Sequence, residues 1–154
     1  MRRVLIKAAG LAAVGVLAFA TAQPTQANTL SSQPGHVAAE SVAYFVMTDH
    51  TREEFVIKLT KPGDIEHARE LVSGETTDRP HVLTRIIKRQ APYNPRWSYH
   101  NNPDMTEFFD QAIEVCDATI PYVEDHTDEA GGAFLPGLYW CDWGSRLIRE
   151  IPAP

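Results

Sequence analysis

"LPGLYWCDWGSRLIREI", Leu135–Ile151, gathers two tryptophans, a tyrosine and one of the chain's two cysteines into a short stretch near its end. Cys141 stands between Trp140 and the Asp142–Trp143 pair. The other cysteine, Cys116, lies in "IEVCDATIPYVEDH", Ile113–His126. If the two are joined, the aromatic stretch is tied to a segment whose hydrophobic spacing reads as helix, and the architecture follows from that tie.

The start of the chain decides whether a disulfide is expected. Arg2, Arg3 and Lys7 precede an apolar run from Ala8 to Ala22, which is shorter than the ~20 residues of a membrane span and leads into small, cleavable residues. We read residues 1–27 as an export signal cut after Ala27, with Ala22 as the alternative. The general secretory route is favoured, although Arg2-Arg3 also approximates a twin-arginine signal. Outside the cytoplasm two cysteines read as one bridge. A Cys116–Cys141 bond would close a loop of about 26 residues, worth on the order of 3 to 4 kcal/mol in the chain-entropy model. Two free thiols acting as metal ligands are the rival reading.

The formal net charge is -6, and removing the signal makes the chain more acidic still. A basic nucleic-acid footprint and a polybasic membrane patch are both missing from the sequence, so nucleic acid and membrane insertion are not expected. Residues 28–41, rich in Ser, Gln, Pro and Gly, read as a flexible lead. Residues 42–154 have the length of one domain.

Within that domain "VAYFVMTD" and "EEFVIKLT" are β-branched and aromatic runs separated by "HTR", which predicts a hairpin. Phe55, Ile57 and Leu59 alternate with polar or smaller neighbours, giving the second strand one buried face. Pro62 and Asp64 open a helix that carries Ile65, Ala68, Leu71 and Val72 at helical spacing and stops at Gly74. "HVLTRIIKRQ" reads as a strand, "APYNPRWSYHNNP" as a broken extended piece, and "SRLIREI" as the last strand. From Asp104 onward, Phe108, Phe109, Ala112, Ile113, Cys116 and Ile120 share one helical face, so a long helix is expected, ended or kinked by Pro121. Two helices among antiparallel strands make an α+β single domain, with the helices packed on the sheet.

The segments "IEVCDATIPYVEDH" and "GGAFLPGLYWCDW", backed by "PYNPRWSYH" and "REEFVIKLT", resemble the BP-seventy-four N-terminal-domain family. Its members are small exported domains, and bacterial ones are often labelled calmodulin-binding or calcium-binding. The resemblance runs from about Tyr44 to Ile151 and implies a disulfide-bearing extracellular domain; it carries over no catalytic residues.

Candidate sites come from the acids and the rings. Glu107, Asp110, Glu114 and Asp117 would form an acidic ridge on the expected helix, too spread to wrap one ion. Glu124, Asp125, Asp128 and Glu129, beside Gly131 and Gly132, occupy a loop that could converge oxygens on calcium, although the ordered spacing of an EF-hand is absent. His100 and His126 could join these acids around a transition metal. Trp97 and Trp140 read as core over the disulfide, whereas Trp143, Tyr99 and His100 are the candidates for a ligand or partner surface. The functional expectation is a secreted binding module acting through an acidic and aromatic surface, with calcium as its candidate ion, on a protein or small ligand outside the cytoplasm. Its alternatives are a small extracellular hydrolase using Glu114 and Asp117, or a protease inhibitor presenting the Ala130–Tyr139 loop.

Overall fold

Strands β1 (Ala43–Thr48) and β2 (Glu54–Leu59) form the expected antiparallel hairpin in the computed structural model, which describes residues 42–154. The expected signal peptide and lead lie outside the described residues. Phe55, Ile57 and Leu59 are buried and their alternate neighbours are not, as the period of two requires. Helix α1 (Pro62–Ser73) begins on Pro62 and closes at Gly74, whose φ of 79° only glycine adopts freely. The Gly74 and Glu75 amides then satisfy the carbonyls of Leu71 and Glu70.

Strand β3 (His81–Ile87) collects three short antiparallel partners: β4 (His100–Asn101), β5 (Glu107–Phe109) and β8 (Tyr139–Trp140). Helix α2 (Ile120–Asp125) and the short β6 (Ala130–Gly131) and β7 (Phe134–Pro136) lie between β5 and β8. The last strand, β9 (Arg146–Ile151), returns to β1, giving a sheet of order β2-β1-β9. This is the α+β arrangement with two helices. Among the described residues, no helix is long and apolar enough to cross a membrane.

The long second helix is corrected. From Asp104 the chain makes a 3₁₀ turn (Pro103–Met105), strand β5, a second 3₁₀ turn (Glu114–Cys116), and only then the six-residue α2. Phe108 and Phe109 explain why. They bury in two different apolar clusters, Phe108 beside His67 in the main core and Phe109 with the disulfide. Adjacent strand residues point to opposite faces, whereas a helix would turn both toward one side. Pro121 therefore sits in the first turn of a helix rather than ending one. Ile120 N–H donates to Asp49 Oδ2 at 2.8 Å, Pro121 has no N–H to satisfy, and the Tyr122 N–H reaches the Thr119 hydroxyl.

The two sheets meet along the outer edge of β2, which has β1 on one side only. On the other side its backbone groups are taken by side chains. Asn94 Oδ1 accepts from Val56 N–H at 2.8 Å and its Nδ2 donates to the Val56 carbonyl at 2.6 Å. Asn101, on β4, does the same for Lys58, at 3.0 and 2.8 Å, and Trp97 Nε1 donates to the Glu54 carbonyl at 2.9 Å. Asn101 Nδ2 also donates to the Thr106 hydroxyl, which bonds Thr84 on β3. Two amides and an indole thus act as a surrogate strand.

Asn101→Ala strands the Lys58 N–H and C=O together, so the expected loss is about 2–4 kcal/mol. Urea unfolding of the variant checks it. Asn101→Asp, which keeps the acceptor and loses the donor, is expected to fall short of the wild type as well.

Candidate ligand cleft beside the disulfide

Cross-strand partners share a face of a sheet. The pairs His81–Phe109, Leu83–Glu107 and Arg85–Tyr139 therefore place these six side chains on one surface of the β5-β3-β8 layer. The segment after β5 crosses that surface and is held there by the Cys116–Cys141 disulfide, with Cα atoms 5.1 Å apart. Further ties fasten the same few residues. Cys141 N–H donates to the Cys116 carbonyl at 2.9 Å, Trp140 Nε1 to the Ala118 carbonyl at 2.7 Å, and Tyr99 OH to the Ile120 carbonyl at 2.9 Å. The crossing segment is consequently fastened from Cys116 onward and has fewer ties before it.

Between this segment and β8 lies a cleft of about 220 Å³, lined by Leu83, Ala112, Ile113, Val115, Cys116, Pro136 and Tyr139. Every lining group is apolar except the Tyr139 phenol. Ile113 is 69% exposed, Val115 59% and Tyr139 41%, so the rim presents large apolar side chains to water. A helical face would have put Ile113 against the sheet; without that helix, it faces out. Glu107 shares the face of Leu83, and Glu114 stands between Ile113 and Val115. Both are exposed, and neither carboxylate has an ion-pair partner among the described residues. Arg85 is committed, with Nε bonded to the Gly137 carbonyl and its guanidinium 5.6 Å from the centre of the Tyr139 ring. The cleft is an apolar seat with two unneutralised acids beside it.

The other residues singled out by sequence are scattered. Tyr99 is fully buried, stacked on Phe55, and burial drives its phenol far above the ordinary range; it belongs to the core and not to a partner surface. His100 is buried as well, with Nδ1 against the Arg89 carbonyl. Trp143 is half-buried against Phe109, with Nε1 sealed and unpaired, because the disulfide cluster needs its ring as cover. Trp97 and Trp140 are core, as expected, but in the main cluster and not over the disulfide, which Phe109 and Trp143 cover. The acidic ridge dissolves: Asp110 accepts from Arg79 N–H and Asp117 from Trp143 N–H, on separate turns. Glu124 Oε2 is occupied by the amide and hydroxyl of Ser98. Among the described residues, no three His, Cys, Asp or Glu side chains gather closely enough to hold a metal ion. The Ala130–Tyr139 loop is folded onto the core through Leu135, which is fully buried.

Two carboxyls with opposed titration do occur, but at Asp49 and Asp142. Burial pushes Asp142 up to about 8, helped by the charges of Asp49 and Asp117, and only the Gly144 N–H opposes this. Protonated, its carboxyl donates to the neighbouring Asp49 carboxylate, which holds the proton on Asp142 and the charge on Asp49. Burial also works against the charge on Asp49, yet the Thr51 hydroxyl and the amides of Ile120 and Thr51 outweigh it and hold the carboxyl below its ordinary range. Asp49 caps α2 as an anion while Asp142 is a neutral acid. Both are almost wholly buried, and neither lines the cleft. No sequence signal could have paired residues so far apart.

The unfolded chain releases the Asp142 proton near pH 4 and the native chain only near pH 8, so between them the native state holds more protons and stability falls as pH rises. Asp49 has the opposite sign, its contribution present above the ordinary carboxylate range and lost on acidification. Melting temperatures of wild type and Asp142→Asn across pH 5–9 check this: the variant keeps the acceptor for Gly144 and is expected to flatten the decline. A second melt, with millimolar calcium against EDTA, is expected to show no shift; a rise would restore the Glu124–Glu129 acids as an ion site.

No curated protein and no solved structure matches the chain. The family model of the BP-seventy-four N-terminal domain matches residues 41–154, a span that contains the β2 clamp, the disulfide and the cleft, and the chain belongs to that family.

Proposed function

We propose that this protein is an exported binding module whose partner is a protein that seats an apolar side chain in the cleft beside the disulfide and sets basic groups against Glu107 and Glu114. The observation that carries the reading is the exposure of Ile113 and Val115 at the rim of a cavity with an apolar lining. Large apolar groups held in water by a covalent tie, instead of being folded into the core, mark an interaction surface. About 220 Å³ suits one anchoring side chain and is small for a whole organic ligand. The chain's net negative charge and the two unpaired acids beside the cleft favour a cationic partner and speed its approach.

The reading draws on binding and not on bond cleavage, since the lining offers no carboxylate, imidazole or aliphatic hydroxyl. The acidic and aromatic surface expected from sequence is here replaced by an acidic and aliphatic one, with Tyr139 as its aromatic member.

The probe is a short peptide alternating leucine and lysine, followed by amide and methyl NMR shifts of the native protein. Perturbation is expected at Leu83, Ala112, Ile113, Val115 and Tyr139, weakening with salt. The double variant Ile113→Ser, Val115→Ser is expected to lose affinity at least tenfold while keeping its melting temperature within a few degrees, because both side chains are exposed. Equal binding by a leucine–glutamate peptide, or perturbation confined to other surfaces, would sink the proposal.

A further inference from the structure

A second cavity, on a different part of the fold, has the opposite character. It occupies about 250 Å³ between β2 and the loop leading to β4, and its lining includes Lys58, Arg89, Gln90, Tyr93, His100 and Pro103. No carboxylate lines it, although the chain as a whole is acidic.

The cations here are uncommitted. Lys61, Arg69, Arg96 and Arg149 are each paired with an acid, and Lys88 is bonded to two backbone carbonyls. The side chains of Lys58 and Arg89, like those of Arg52, Arg79 and Arg146, make no ion pair and no hydrogen bond among the described residues, and Lys58 and Arg89 line this cavity together. An anion entering this cavity would therefore meet two positive charges and no lining carboxylate.

His100 is the second, independent feature. It is only 7% exposed, and its Nδ1 lies 2.5 Å from the Arg89 carbonyl, which can only accept, so Nδ1 carries the proton. Nε2 makes no hydrogen bond among the described residues and is the ring atom left to meet a ligand. The ring is buried, but Nε2 is not sealed as Trp143 Nε1 is, so a ligand in the cavity can reach it. Tyr93 packs edge-on against His100 at 6.0 Å, and burial raises its phenol to about 12, so the hydroxyl stays a donor at any physiological pH.

The mounting is rigid. Lys58 is the residue whose backbone is gripped by the Asn101 amide, and His100 immediately precedes Asn101 on β4. The clamp that joins the sheets therefore also fixes the spacing between the two sides of this cavity. A larger hollow of about 480 Å³, lined also by Val42, Thr60 and Asp104, opens beside it and shares Lys58 and Pro103, leaving room for the uncharged body of a ligand whose charged end sits in the first, away from the Asp104 carboxylate.

We infer that the cavity formed by Lys58, Arg89, Tyr93 and His100 is a binding site for the oxyanion end of a small organic acid, either a carboxylate or a phosphate ester. Arg89 can meet either group with two parallel N–H donors, and Lys58 supplies a point charge. The site is independent of the apolar cleft, and either could exist without the other.

Titrations of the native protein with citrate and with inorganic phosphate, read by the His100 imidazole and Tyr93 ring NMR signals, test it. Saturable shifts at both residues are expected from at least one anion, with the stronger binder telling carboxylate from phosphate. Sodium chloride at matched ionic strength is expected to leave them unmoved. Lys58→Gln with Arg89→Gln should weaken binding at least tenfold without changing the fold, because both changes are confined to side-chain ends, and Arg89→Lys should retain part of it. The inference is overturned if neither anion gives saturable shifts, if chloride does as well, or if the double variant binds equally.

Discussion

Everything in this domain hangs on how the exposed edge of β2 is closed. A strand with one free edge leaves a row of backbone donors and acceptors that must find partners. Here the partners are the Asn94 and Asn101 amides and the Trp97 indole, all from a proline-broken segment that forms little regular structure of its own. Each asparagine offers a donor and an acceptor in the geometry of a peptide unit, so it replaces a neighbouring strand one residue at a time. The core aromatics Phe55, Tyr99 and Trp140 can pack across the junction only because this edge holds the two sheets in register.

The disulfide works at the other end of the same core. Its contribution to stability comes from the loop it closes, but its consequence for function is positional. Cys141, Trp140, Tyr99 and Asp49 between them bind the chain from Cys116 to Ile120. With that short piece fastened, the residues just before it cannot retreat into the core. Ile113 and Val115 are held out over the sheet, and the space beneath them is the apolar cleft.

The surface therefore divides electrostatically in a way that bulk composition conceals. Many basic side chains are spent on ion pairs or on carbonyls, which leaves acids such as Glu107 and Glu114 unopposed beside the cleft. Lys58 and Arg89 are among the cations left without a partner, and both line the cavity built against the β2 clamp. An acidic protein thus carries a cavity lined by unpaired cations and an apolar cleft flanked by unopposed acids on one small scaffold.

Local chemistry is enough for the hairpin, α1, β3 and β9, because period, caps and turn residues within a few positions decide those elements. The same holds for the cysteine bridge and for Trp140 as a core ring, although the rings that cover the bridge are Phe109 and Trp143. What local spacing misreads is the stretch from Asp104 to Ile120. Its apolar residues fit a helical face, yet Phe108 and Phe109 gain more by entering two separate clusters from a strand paired to β3, and pairing with a distant strand leaves no trace in periodicity. Tyr99 is misplaced for the same reason, since a run of prolines and polar residues looks like surface until Asn94 and Asn101 bind β2 some forty residues away; His100, also buried, still lines a cavity. The elements with local causes were determined by the sequence itself, and the joints, the cleft and the charged cavity were decided only by tertiary contacts, whose energy depends on partners far apart along the chain.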